Sequence, residues 1–405
     1  MKTILPYCKA FVLLIAVFFA FSVLSCLLPD KSVKEHIKDS VPGMVAMGPY
    51  PRAVMDNVHC QMDNFTDALI MNQIYNIDRH HPVRAAMEVV RSSERGKDWD
   101  QAGLLQRRVN GEVLGTQQYA RYWHGNTFLF RLFFLVMDFD MIRWTLFIVS
   151  SLLLVLLLCA YDQKVGLAKT LVLTSGFLAT LGFITQFSMQ FFPVLALTII
   201  GCLLVIRREG SKSMGLLFFV IGALTCYFDL LTTPLLTLGM PLVVMLSLDR
   251  NMPFSVKDNL LKIIKVTLLW GLGFALTFVT KWALASLVMG QNIFADAYEV
   301  SLYRMEADEF TRWDALARNF NMLKLWMIIF AMVILIVFSV IRHQKFNIRK
   351  AVLFLLVGLM PYVWYLVLSN HSYLHWWFTY RLQAVSVTCL LMMVADSFGL
   401  QWDNS

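Results

Sequence analysis

The stretch Ala10–Leu28, AFVLLIAVFFAFSVLSCLL, decides the fold class: 19 residues without a single ionisable side chain, preceded by Lys2 and Lys9. A run of that length matches the ~30 Å hydrocarbon core of a bilayer at 1.5 Å per helical residue. With cations before it, the run reads as a first transmembrane helix whose N-terminus is inside. A secretory signal is the rival reading, helped by Val23-Leu24-Ser25-Cys26, which faintly resembles a lipoprotein cleavage site. The run is long for a signal and many similar runs follow it.

Those runs lie near residues 142–161, 165–184, 191–206, 214–228, 230–248, 266–288, 325–341, 351–368 and 382–399. Of the 405 residues 58% are hydrophobic and only 15% charged, too small a polar stock to cover soluble domains. The runs are unbroken rather than alternating, so the spans are helices and not barrel strands. The expectation is one all-α polytopic membrane domain over residues 1–405 with about ten spans.

Charge placement orients it. Lys164 and Lys169, then Arg207, Arg208 and Lys212, then Arg250, Lys257, Lys262 and Lys265, then Arg342, Lys345, Arg349 and Lys350 all fall on the N-terminal, inner side when the loops alternate. The short outer loops around Ser188 and Thr232 carry no Lys or Arg. That agreement puts both termini in the cytoplasm and explains the formal charge of +8 without nucleic acid, for which no motif is present. The seven cysteines are scattered singly, with no spacing that reads as a zinc site or disulfide framework. No internal repeat suggests the paired halves of many transporters.

Two outer segments are not short: residues 29–141 and 289–324. The first is too long to be a connector. Amphipathic stretches at Val33–Val41, Asp63–Tyr75 and Val83–Val90, and an aromatic run at Tyr119–Trp144 interrupted by Arg131, are expected to lie along the outer interface as helices.

Ionisable groups at depth, or gathered on one face, are the informative residues of a membrane protein. Lys281 lies about seven residues inside the outer end of its span, roughly 10 Å deep. It either snorkels to the headgroups or opposes a lipid phosphate. Asp229 ends a span at the outer mouth and by itself reads as a boundary marker. Tyr365–Arg381 gathers Asn370, His371, His375, Trp376, Trp377, Tyr380 and Arg381. Arg381 stands on the outer side against the positive-inside bias, where its fork suits a phosphate or carboxylate. Asp63 and Asp67, spaced i, i+4, share a helix face. One can serve as a base while the other, or Asn64, orients an acceptor; both are equally N-cap and first-turn residues, which spacing alone favours. Asp138-Phe139-Asp140 has the form of a D-x-D metal motif, but reads better as an interfacial helix end, so a divalent metal has only weak support.

These groups face one compartment. A carboxylate base opposite cations from Lys281, Arg304 and Arg381 at a membrane surface is the equipment for moving a sugar from a lipid phosphate to a hydroxyl, with inversion. A lipid-linked saccharide flippase or small-solute transporter is the alternative, and it would need ionisable groups near the midplane.

Met62–Ala68 (MDNFTDA), Tyr119–Gly125 (YARYWHG), Tyr227–Thr232 (YFDLLT) with Pro234, Lys281-Trp282, His371-Ser372 and His375–Arg381 (HWWFTYR) together resemble a bacterial branch of the GT-C membrane glycosyltransferases, in order, from about residue 29 to about 385. The resemblance implies a polyprenyl-phosphate-linked sugar donor, a glycan or lipid-linked acceptor, and an active site on the outer face of the bacterial plasma membrane. It implies a base at Asp63 or Asp67 and an active-site wall at Asp229. It also implies phosphate contacts at Lys281, Arg304 and Arg381, and cavity positions at Arg121 and His124, beside substrate-binding Asn64, His371, His375 and Tyr380. Asp138 departs from the pattern, where an amide is the more usual residue.

Overall fold

The computed structural model describes residues 4–53, 55–180, 184–249, 255–306 and 309–398. Of the described residues 75% are helical, and every apolar run of the sequence contains a helix. Among the described residues five helices have the length and composition to cross a membrane: Leu5–Cys26, Phe139–Val165, Val256–Met289, Ile348–Val367 and Trp376–Ser397. Arg312–Phe320 and Leu325–Ile341 make a sixth if their 63° bend is counted within one span. The remaining apolar helices, Leu167–Thr180, Phe192–Arg207, Met214–Phe228 and Leu236–Ser247, have 10–17 residues each within the described residues. At 1.5 Å per residue they reach roughly 15–25 Å, short of the ~30 Å core. The fold is that of an all-α membrane-embedded protein.

Local chemistry sets the helix ends. Ser255 starts Val256–Met289 by accepting from the Asp258 backbone N–H (3.2 Å), and Gly290 closes it in the left-handed region (φ 67°). Asp138 starts Phe139–Val165 by accepting from the Met141 N–H at 2.9 Å, so Asp138-Phe139-Asp140 is a helix start, as its sequence suggests. Pro361 sits where Ile348–Gly358 gives way to Met360–Val367.

Small residues let the helices meet backbone to backbone. Met214–Phe228 packs along Val256–Met289, and a Cβ on Gly222 would overlap the Trp270 carbonyl, as one on Gly273 would the Phe219 carbonyl. The final helix, almost wholly buried, is enclosed by glycines that make room for its side chains, Gly176 against Thr388 and Gly239 against Val385. A continuous core of Leu, Val, Ile and Phe from these helices fills the interior.

The contacts define two ends. At one, Lys164 pairs with Glu209 (3.1 Å), Lys262 faces Asp249 (3.9 Å), Lys350 pairs with Asp396 (3.1 Å), and Lys169 also bonds Asp396. This end gathers the basic loops of the sequence; Arg250 lies outside the described residues. At the other end sits segment 29–141. It contains helices at Asp30–Met47, Asn64–Tyr75, Pro82–Glu88, Gln101–Val109 and Gly125–Phe133. Three of these fall on the amphipathic stretches of the sequence.

The segment departs from expectation in two ways. Val90 does not extend its helix; Val90–Ser93 pairs antiparallel with Gly115–Gln118, in register Val90 with Gln118, a two-stranded ribbon that no alternating apolar pattern announces. Gly125–Phe133 is not a surface helix either: Phe128, Phe130 and Arg131 are fully buried. Arg131 donates to the carbonyls of Ser25 (3.0 Å), Leu28 (3.1 Å) and Ile74 (3.2 Å) and bonds Asp30. It thereby pins the end of the first span to the helix that follows and to the end of Asn64–Tyr75. Three helix-end carbonyls and a carboxylate take up the donors of this buried guanidinium, which is what makes its burial tolerable here.

Candidate functional site

The site is built around the start of the Asn64–Tyr75 helix. Asp63 is its N-cap: one carboxylate oxygen accepts from the Thr66 N–H (3.0 Å), the other from the Thr66 hydroxyl (2.7 Å). Asp67 lies in the first turn, and the helix places both acids where its dipole is positive. The capping reading of the sequence thus describes the local bonds of Asp63. Both carboxyls are buried, and burial pushes Asp63 up to about 6, offset by the Thr66 bonds and the field of Arg381. Asp67 is pushed up to about 7 by burial, with Arg143 pulling the other way and Asp63 adding to the rise.

Asp67 Oδ1 accepts from the Ser188 hydroxyl (3.1 Å) and the Gln190 N–H (3.2 Å), and Arg143 Nη2 stands 3.7 Å from Oδ2. Arg143 also bonds Asn64 Oδ1, while Asn64 Nδ2 donates to the Gly48 carbonyl (3.0 Å). Asn64 is therefore an anchor for the turn. The Gln190 amide N–H₂ donates to the Thr232 hydroxyl, and the Thr232 N–H donates to Asp229 Oδ1 at 3.0 Å. A short polar bridge so joins Asp67 to Asp229. Asp229 is buried and pushed up to about 7 by desolvation against bonds from the Thr232 turn; its Oδ2 has no hydrogen-bond partner among the described residues.

The turn after Asp229 is strained. Leu231 adopts φ 66°, a region that a non-glycine residue seldom occupies, and its carbonyl accepts from His371 Nε2 at 2.9 Å. With Nε2 bearing the proton, Nδ1 of His371 is an acceptor. His371 and His375 lie ring to ring (5.0 Å), both held below the ordinary imidazole range, first by burial and then by Arg304; His375 falls to about 4. Arg304 lies over the Tyr122 ring at 5.5 Å and makes no ion pair among the described residues. A depression of 630 Å³ lined by Met305, Glu306, Phe310, Arg312 and Ser369 adjoins it.

On the other flank, Arg381 donates to the Thr180 carbonyl (3.0 Å) and lies over Phe191 (5.4 Å) and Tyr380 (5.2 Å). The Tyr380 hydroxyl is 2.8 Å from His59 Nδ1. Asp63 lies in the field of Arg381 without forming an ion pair with it among the described residues.

Arg121 pairs with Asp296 (3.4 Å) and stacks on Tyr119 (4.4 Å). It also lines a 160 Å³ cleft with Phe65 and Leu69, from the helix that carries the two acids. His124, at φ 57°, donates from Nε2 to the Tyr119 carbonyl (2.9 Å) and is held neutral, down to about 3, by burial.

The structure thus gathers Asp63, Asn64, Asp67, Asp229, Tyr380 and Arg381, and connects them through Leu231 to His371, His375 and Arg304. Arg121 touches the edge. Lys281 stands apart from the acids: fully buried, it donates to the carbonyls of Ala86 (3.3 Å) and Met87 (2.9 Å), the end of the Pro82–Glu88 helix, and lies 5.7 Å from the Trp123 ring. Sequence reasoning missed Arg143, His59, Ser188 and Gln190. Arg143 had a signal, a cation at the second position of an apolar run; the others had none. Among the described residues no three His, Cys, Asp or Glu side chains form a metal-ligand set, and Asp140 is solvent-exposed.

No family model matches the chain, and neither a curated protein nor a solved structure matches it.

Proposed function

We propose that this chain is an inverting GT-C-type glycosyltransferase that moves a sugar from a polyprenyl phosphate to a cell-envelope glycan or lipid-linked saccharide at the outer face of a bacterial plasma membrane. The observation that carries the reading is the bridge from Asp67 through Gln190 and Thr232 to Asp229, with Asp63 in the field of Arg381 beside it. Buried acids raised toward neutrality beside cations suit proton removal from a hydroxyl and departure of a phosphate.

In this reading Asp63 or Asp67 takes the proton of the acceptor hydroxyl as its oxygen attacks the anomeric carbon. The bond to the phosphate oxygen breaks on the opposite face, and the anomeric configuration inverts. Arg381 and Arg304 stabilise the charge on the departing phosphate, Asp229 stands beside the base, and His371, His375 and Tyr380 serve as neutral hydrogen-bonding groups for the substrates. Lys281 supports the site through the Pro82–Glu88 helix end.

The reading includes about ten crossings with both termini cytoplasmic. Its support is that the short apolar helices also run between the two ends: Met214–Phe228 from the Lys265 side to Asp229, and Leu236–Ser247 from the Thr232 side to Asp249. The basic end obeys the positive-inside bias.

The test is transfer from synthetic prenyl-phosphate sugars by the purified chain in nanodiscs. Asp63→Asn and Asp67→Asn should insert normally, with at least one losing transfer; full activity in both would reject the base assignment. Movement of a lipid-linked saccharide across the membrane without bond cleavage would instead favour a flippase.

A further inference from the structure

At the basic end, away from the acids, a cavity of 570 Å³ opens between the ends of Phe192–Arg207, Met214–Phe228, Leu236–Ser247 and Val256–Met289. Its floor is apolar, with Val205, Met245, Leu248 and Val266, and its rim carries Lys212, Lys262 and Lys265. The acids at the rim are engaged: Glu209 takes Lys164 at 3.1 Å, and Asp249 faces Lys262 at 3.9 Å. Lys212 and Lys265 make no ion pair among the described residues, so the cavity keeps two uncompensated cations over an apolar floor.

The surface beside it continues the pattern. Lys265 shares a helix face with Leu261, Leu268 and Leu272, spaced four, three and seven residues away, and these leucines with Ile264 are between 45% and 67% exposed. Val256 begins that helix, so Lys265 lies nine residues in, roughly 14 Å along the axis. An ammonium set within a lipid-facing apolar stripe and opening into a cavity has the form of a headgroup seat. Positive-inside loops alone need only exposed lysines, not a cavity with an apolar floor.

We propose that this cavity binds one anionic phospholipid of the adjacent leaflet. Its phosphate lies between Lys212 and Lys265, and an acyl chain runs along Leu261, Leu268 and Leu272. The shared chemistry is a phosphate oxyanion, and the apolar floor and stripe select the lipid over free phosphate. This inference stands independently of the proposed catalytic activity.

The test is native mass spectrometry of the full chain in detergent, titrated with phosphatidylglycerol, phosphatidylcholine or inorganic phosphate. One phosphatidylglycerol per chain should bind saturably and phosphatidylcholine should not, and millimolar inorganic phosphate should fail to displace the lipid. Lys212→Gln with Lys265→Gln should weaken binding about 25-fold, at about fivefold for each lysine near an anionic lipid. Lys212→Arg with Lys265→Arg should retain binding, and so should Lys257→Gln with Lys345→Gln, at the same end but outside the cavity. Equal affinity for the two lipids, displacement by inorganic phosphate, or unchanged affinity in the double glutamine variant would each overturn the proposal.

Discussion

Replacing Arg131 should unfasten the outer segment from the first span. Arg131→Met keeps the stem and volume but removes every donor, taking the guanidinium from Asp30 and from the carbonyls of Ser25, Leu28 and Ile74, of which Ser25 and Ile74 keep a backbone N–H partner each. Breaking a buried charged contact costs about 3–5 kcal/mol, much of it the desolvation of the abandoned partners. Arg131 is fully buried and Asp30 is 24% exposed, so water recovers part of the acid's loss and little of the carbonyls'. The expected loss is therefore about 3 kcal/mol, a factor of roughly 150 in the unfolding equilibrium at 1.36 kcal/mol per tenfold change. Unfolding in mixed detergent micelles, followed by tryptophan fluorescence, measures it. Arg131→Lys should recover part of the loss, since one ammonium carries three donors but cannot span four acceptors. A loss below about 1 kcal/mol for Arg131→Met would refute the view that this residue fastens the segment.

Other expectations follow from the same geometry. Gly222→Ala or Gly273→Ala should destabilise the chain by about 1–3 kcal/mol, because each new methyl meets the facing carbonyl, whereas Gly271→Ala, with open space around it, should not; thermal unfolding distinguishes them. Asp63, Asp67 and Asp229 carry pKa values raised from 3.8 to about 6, 7 and 7, so the stability they contribute is full below pH 4 and falls as the pH rises through 6–7. Transfer should change in the opposite sense, increasing through pH 6–7 as the base ionises; a pH profile flat from 5 to 8 would deny a raised carboxyl that role. Lys281→Met should lower thermal stability while changing donor affinity less than twofold, whereas Arg381→Gln should weaken donor binding about tenfold, the loss of one charge-assisted contact. A tenfold loss of affinity in Lys281→Met at unchanged stability would return that lysine to the phosphate.

Periodicity and charge made the membrane fold legible, since apolar runs and basic loops are each fixed by bilayer physics along short stretches of chain. The run Phe192–Arg207 is plain in the sequence, yet nothing in it tells a helix of 16 residues from a full span. The Val90–Ser93 ribbon was hidden because its partner, Gly115–Gln118, is polar and exposed throughout. Within the site, the Asp63 cap follows from residues three apart, whereas the Asp67 environment depends on Ser188 and Gln190, more than 120 residues away. Lys281 shows the converse: its place within an apolar run was readable, but its acceptors are backbone carbonyls, which carry no sequence signal.

The most direct measurement is the anomeric configuration of a glycoside formed by the purified chain from a prenyl-phosphate sugar of known configuration, read by NMR. Direct displacement at the acid and cation cluster predicts a product of inverted configuration, lost in at least one of Asp63→Asn and Asp67→Asn. A product that keeps the donor's configuration, or one formed equally by both variants, would contradict it.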